Sequence, residues 1–236
     1  MSNSATVIEN QIFIGVPWQR IRPQFEDALE NLKDEYPVHW IIFGRNTTYD
    51  AQDLWGSIKI EIDRSASTIF DLTGSNANVA LEFGYAEALG KRRLLTLNKA
   101  RNRQTKKKSS KSAPANTQSI MSDLSGKIHA PYRSVITLER ELRQEFDRNP
   151  YVVRYRQVAR ANRWRANKKK VAIAITQHLA GGKKLSRPNL TVAIETEFST
   201  YKAFDFKALL DQMNGGGLIV IKRGKHGGVT IPVIKD

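Results

Sequence analysis

Cysteine is absent from this 236-residue chain, which excludes disulfides and any thiolate-bound metal. Histidine is scarce: His39, His129, His178 and His226 are scattered, with no H-x-x-x-H pair, so no metal site is expected. No apolar run reaches the length of a membrane span, and the opening MSNSATVIEN lacks a basic leader and a long apolar stretch. These absences predict a soluble, cytoplasmic protein with no membrane partner. The last scarcity is local. Between Asp147 and Glu195 there is no acidic residue at all.

What is present is a strong charge asymmetry. Residues 1–98 hold 9 Lys+Arg against 13 Asp+Glu, a net of −4, and residues 99–236 hold 29 against 10, a net of +19, which sum to the formal +15. Arg154, Arg156, Arg160, Arg163, Arg165, Lys168, Lys169, Lys170, Lys183 and Lys184 fall in the acid-free gap. Such one-sidedness points to a polyanionic partner for the C-terminal part, with a solvated basic helix face as the plainer explanation. The 40% hydrophobic content argues against wholesale disorder.

Hydrophobic patterning along residues 1–150 alternates between strand and helix. QIFIGV (11–16), VHWIIFG (38–44), STIFDLT (67–73) and RRLLTLN (92–98) read as buried strands. Segments 22–33, 54–65 and 78–90 carry apolar residues at helical spacing. A fifth strand is expected at 134–136 and a helix at 138–146, with Asn149-Pro150 as a domain end. This alternation predicts a parallel sheet with helices on both faces. The stretch RNRQTKKKSSKSAPANTQS (101–119) is basic and low in complexity, a mobile loop by composition. Beyond 150, a basic connector (151–165) precedes helices at 169–179, 190–198 and 204–213, then two strands, LIVIKR and VTIPVIK. Three helices and a hairpin resemble a winged helix-turn-helix in element order, giving a second, small α+β domain at 151–236. There, nucleic acid is expected to meet Arg154, Arg156, Arg160, Arg163, Arg165, Lys168, Lys169 and Lys170 together with Lys222, Arg223 and Lys225 of the wing, where His226 also lies. Backbone contact with strong salt dependence is expected. Trp164, between Arg163 and Arg165, suits either a stacked single-stranded base or a buried packing role.

The chemistry concentrates in DLTGSNANVALEFGYAEALGK, from Asp71 to Lys91. A strand ends at Asp71, a loop of small residues follows, and a helix opens near Asn78. Open parallel sheets bind ligands at such strand-to-helix junctions, and helix-leading amides suit a phosphate. Glu82 lies one turn into the helix. Read alone, it is either a carboxylate placed against the helix dipole or a working group. Asp71 is either a second catalytic group, holding a proton or a ribose hydroxyl, or a loop and capping residue. Gly15, Trp18, Arg45, Trp55, Gly74, Ser75 and Asn78 are the candidates for substrate contact. Trp18 and Trp55 offer a stacking ring or simple packing.

IFIGVPW near the start and STIFDLTGSNANVALEFGYAEALGKRRLL together resemble the nucleoside 2-deoxyribosyltransferase-like superfamily and the bacterial TIR-like nucleotide-binding proteins. Asn78, Val79, Glu82, Gly84, Ala86, Gly90 and Lys91 fit the shared pattern N-V-x-x-E-x-G-x-A-x-x-x-G-K. The resemblance covers about residues 10–147. It implies a flavodoxin-like fold and a glutamate, here Glu82, that acts on a ribosyl C1′. It further implies a nucleosidase whose substrate is NAD or a nucleotide, with no separate cofactor. Fused to a winged-helix-like, DNA-binding tail, such a domain is similar to bacterial retron effectors. That pairing implies a toxin-type role in anti-phage defence, DNA or an RNA–DNA hybrid as nucleic acid, and a reverse transcriptase complex or homo-oligomer. The alternative is a non-catalytic nucleotide sensor joined to a nucleic-acid-binding regulator.

Overall fold

A computed structural model describes residues 6–43, 54–100, 129–198, 203–222, 224 and 228–235, and every structural statement concerns these. Arg45, Arg223, Lys225, His226 and the basic stretch 101–119 lie outside them. The chain runs β1 (Thr6–Gly15), α1 (Arg22–Leu32), β2 (His39–Ile42), α2 (Leu54–Arg64), β3 (Ser65–Asp71), α3 (Ala77–Ala88), β4 (Arg92–Asn98) and β5 (His129–Tyr132). It continues through α4 (Val135–Asp147), α5 (Pro150–Ala161), α6 (Ala166–His178), α7 (Arg187–Glu197) and α8 (Ala203–Gly215) to β6 (Val220–Lys222), β7 (Gly228–Thr230) and β8 (Val233–Lys235). Residues divide into two compact units: Ile12–Asn31 with Trp40–Glu145, and Met1–Gln11 with Leu32–His39 and Phe146–Asp236.

In the first of these the strands stand in the order β2-β1-β3-β4-β5, with β3–β4 and β4–β5 parallel. β3 is buried along almost its whole length, as a strand covered on both faces must be. Phe70, fully buried on β3, meets Phe13 at 6.1 Å and Phe83 at 5.7 Å between ring centroids. Ile58 and Ile62 of α2 and Val79, Phe83 and Ala86 of α3 complete this core. Each buried Phe or Ile of that kind contributes roughly 1.5–3 kcal/mol over an exposed one.

The strand expected at 134–136 is instead the start of α4, and the fifth strand is HAPY, 129–132. Ser134 and Thr137 explain the difference. The Thr137 hydroxyl accepts the Arg133 and Ser134 N–H groups at 3.0 Å each, and the Thr137 N–H reaches back to Ser134 Oγ. This is a capped helix entry. Pro131 lies on β5 at the sheet's edge, where its missing N–H costs no ladder bond.

In the other unit, the expected basic connector at 151–165 is helical as far as Ala161 and packs into the core. Asn149 caps α5 through its side chain, and Tyr151, Val152, Tyr155, Val158 and Ala159 enter the core. α6 is buried on every side from Val171 to Thr176, the mark of a central helix. Its cations are therefore confined to the first turns. α7, α8 and the antiparallel hairpin β6–β7 surround it, and Leu185 bridges to Val229. VTIPVIK does not form one strand. Pro232 interrupts it, so β7 pairs with β6 while β8 pairs antiparallel with Thr6–Ile8 of β1. Residues 32–39 belong here too: the Tyr36 hydroxyl donates to Asp147 at 2.8 Å, and Gln177 donates to the Lys33 carbonyl at 2.8 Å.

Candidate functional site

α3 follows β3 through Leu72–Asn76. Gly74 and Ser75 both stand in the left-handed region, at φ 76° and 52°. Glycine takes that conformation freely, whereas for Ser75 it costs roughly 1 kcal/mol or more. The loop is held from below. Asp71 Oδ1 accepts the Thr73 N–H at 3.0 Å, and Asp71 Oδ2 accepts the Thr96 hydroxyl at 2.8 Å. The Asn98 N–H donates to Thr73 Oγ1 at 2.8 Å. Asn76 is the helix cap, its side chain accepting from Asn78 and Val79 N–H at 3.0 and 3.2 Å. Two of the leading amides that an anion would use are thus engaged within the chain. Asn78, on the first turn, is exposed.

Glu82 lies on the sheet-facing stripe of α3 with Val79, Phe83 and Ala86. That is the spacing of a helix's core face, and one of its four positions is a carboxylate. Glu82 is 9% exposed, and burial pushes its carboxyl up to about 7. Among the described residues no hydrogen bond or ion pair compensates it. A carboxylate that served only the helix dipole would be stabilised in the first turn at the surface; this one is desolvated farther in. Gly15, at the end of β1, stands directly against it. A Cβ at Gly15 would lie 2.5 Å from Glu82 Oε2 and 2.6 Å from a Phe70 ring carbon. The fold leaves space for the carboxylate by omitting one side chain.

Asp71 does not join this pair. Neighbouring residues of a strand face opposite sides of the sheet. Phe70 faces α3, and Asp71 faces away, fully buried and bonded to Thr73 and Thr96. Burial raises its carboxyl, and those hydrogen bonds act against the rise. As placed, Asp71 anchors the loop.

The remaining candidates scatter. Trp18, in the loop after β1, is half exposed, with the Arg22 guanidinium 5.8 Å from its ring centre. Trp55 packs edge-on to Tyr85 at 5.8 Å, and the Tyr85 hydroxyl donates to Asp63 at 2.9 Å, tying α2 to α3. Gly90 and Lys91 terminate α3. Gly90 is left-handed at φ 65°, and Lys91 Nζ donates to the Asp63 and Ser65 carbonyls at 2.7 and 3.0 Å. The second half of the matched pattern is therefore a helix stop. Gly84 is exposed, with open space where a Cβ would stand. Gly84→Ala is expected to stabilise the chain by roughly 0.5–1 kcal/mol, measured by urea unfolding. No group of three or more His, Asp or Glu is placed to hold a metal, among the described residues. None of the described helices is long and apolar enough to cross a membrane.

The strand order 2-1-3-4-5 is that of a flavodoxin-like sheet, whose ligand crevice opens where the order reverses, between β1 and β3. Gly15, the 72–76 loop and Glu82 stand at that place. Among solved structures, the chain is similar to a 2-desoxiribosyltransferase from Leishmania mexicana: 23% identity, 38% of this chain and 65% of that chain covered, and a TM-score of 0.34. No family model matches the chain, and no curated protein does.

Proposed function

We propose that the unit containing β3 and α3 breaks the N-glycosidic bond of a nucleoside or nucleotide, with Glu82 as the group that meets C1′. One observation carries this reading: a desolvated carboxylate, without a partner among the described residues, held against Gly15 at the switch point of the sheet. Positive charge builds on the sugar ring as the C1′–N bond breaks, and a fixed carboxylate in a dry site stabilises it strongly or adds to C1′. The bonding pair leaves with the base. Water or a second acceptor then takes the ribosyl group and frees the carboxylate.

Burial alone accounts for the raised Glu82 carboxyl, with no charged neighbour contributing among the described residues. Among the described residues Asp71, the second acid the sequence offers, is bonded to Thr73 and Thr96 on the other side of the sheet and does not face a base leaving beside Glu82. Leaving groups that depart neutral from a cationic ribosyl compound suit such a site best, and the nicotinamide of NAD is of that kind. A cationic substrate would also draw Glu82 toward its ionised form.

The test is release of free base or nicotinamide from a panel of nucleosides, nucleotides and NAD, with Glu82→Gln beside the natural chain. Loss of turnover by roughly three orders of magnitude or more is expected for the variant. Ionised Glu82 is the reacting form, so kcat/KM should rise with pH and level off above about 7. If no substrate is cleaved while a nucleotide still binds, the pocket is a sensor and the enzyme reading fails.

A further inference from the structure

The structure sorts the basic residues of the C-terminal unit into two groups. Arg154 is paired with Glu9, and Arg156 with Asp147. Arg160, Arg163, Arg165, Lys168, Lys169 and Lys170 have no carboxylate partner among the described residues, and all but the half-buried Lys168 are exposed. These six flank the corner where α5 turns into α6. We propose that this corner is a phosphate-backbone contact surface for duplex nucleic acid. The proposal is independent of the glycosidic reading above.

Three observations carry it. First, the corner is pinned. Trp164 is buried, its Nε1–H donates to Gln212 Oε1 at 2.7 Å, and its ring meets Tyr155 at 5.9 Å. The Trp164 N–H donates to the Ala159 carbonyl at 2.8 Å, and Arg163 takes the left-handed φ of 52° that the sharp turn requires. Cations offered from a fixed backbone lose less freedom on binding than those of a loose tail.

Second, the placement works against the helix that carries it. α6 has no acidic residue in its first turn, Arg165 makes no side-chain cap, and Lys168, Lys169 and Lys170 stand at the positive end of the helix dipole. A merely solvated face would be expected to mix signs along the helix. Third, the surroundings choose the polyanion. Burial removes Trp164 as a stacking platform, so among the described residues unpaired bases have no exposed aromatic ring to rest on here. The exposed neighbours at the corner are Ala161, Asn162, Ala166 and Asn167, with no apolar side chain large enough to enter a lipid surface. Regularly spaced phosphates of a duplex, met without base reading, fit what remains.

Fluorescence anisotropy of the full chain with a labelled duplex of about 20 base pairs, from roughly 50 to 200 mM salt, tests the proposal. DNA and RNA–DNA hybrid duplexes form separate arms. If most of the six cations meet phosphates, log K should fall against log salt with a slope of about −5. The triple variant Lys168→Gln, Lys169→Gln, Lys170→Gln should reduce the slope to about −3 and weaken binding at about 100 mM salt by roughly 50-fold or more. A charge-matched triple, Arg133→Gln, Arg140→Gln, Arg156→Gln, should stay within about threefold of the natural chain. Thermal melts of both variants establish that they fold. Four results would each overturn the proposal: unchanged binding by the lysine triple, equal loss by the charge-matched triple, single strands bound about tenfold more tightly than duplex, or attachment to phosphatidylserine vesicles without duplex binding.

Discussion

At about pH 8 the Glu82→Gln protein is expected to be more stable than the natural chain by about 3 kcal/mol. The figure is the gap between about 7 and 4.5 for the Glu82 carboxyl, at 1.36 kcal/mol per pH unit. The sign follows from proton binding. Between those two values the folded chain holds a proton that the unfolded chain has released, so natural stability falls as pH rises through this window. Below about 4.5 both states are protonated and the variant gains little; above about 7 the full penalty is present. Glutamine copies the neutral carboxyl at every pH. Urea unfolding of both chains across this range should give curves that diverge as pH rises. In a chain of this length the gain corresponds to roughly 6–12 °C in Tm. A stability difference that does not change with pH would show that Glu82 is not desolvated in solution. Gain of stability with loss of base release is the trade expected where a charge is buried for chemistry.

Gly15→Ala is the second large effect. Its Cβ would meet Glu82 Oε2 at 2.5 Å and Phe70 ring carbons at 2.6 and 2.9 Å. Glu82 can rotate away, but Phe70 is fully buried and enclosed by Phe13 and Phe83, so the ring and its neighbours must shift. Overpacking of this kind costs roughly 1–3 kcal/mol. The carboxylate is also displaced, and a shift of about 1 Å at a reacting group costs on the order of a hundredfold in rate. A double-mutant cycle separates the two contacts. In a Glu82→Ala background the stability cost of Gly15→Ala should fall by about 1 kcal/mol and not vanish, because the Phe70 clash persists. Additive costs would mean that Gly15 and Glu82 do not touch.

Most of the α/β unit was legible in the sequence because its elements declare themselves locally. The buried strands are short apolar runs, and α1 to α3 keep helical spacing between turn residues. Failures came where a local signal was ambiguous. SVI at 134–136 is β-branched and apolar, yet the Ser134–Thr137 cap makes it a helix start. HAPY hides a strand behind a proline that only an edge position tolerates. The apolar run marks β1 only from Gln11, because Glu9 and Asn10 break it; they are held by partners distant in sequence, Asn10 by the Pro37 carbonyl and Glu9 by Pro232 and Arg154.

By itself the sequence determined the periodicities, the charge asymmetry and the presence of a carboxylate in a small-sided junction, since each is a property of neighbouring residues. Which groups meet was decided only by tertiary structure. Asp71 and Glu82 are close in sequence, but strand alternation turns one beneath the loop and helix phase turns the other toward Gly15. The cations of one acid-free stretch read alike until folding paired Arg154 and Arg156 and left those of the α5–α6 corner without a carboxylate among the described residues. Burial and pairing depend on residues brought together from distant parts of the chain, and no local pattern encodes them.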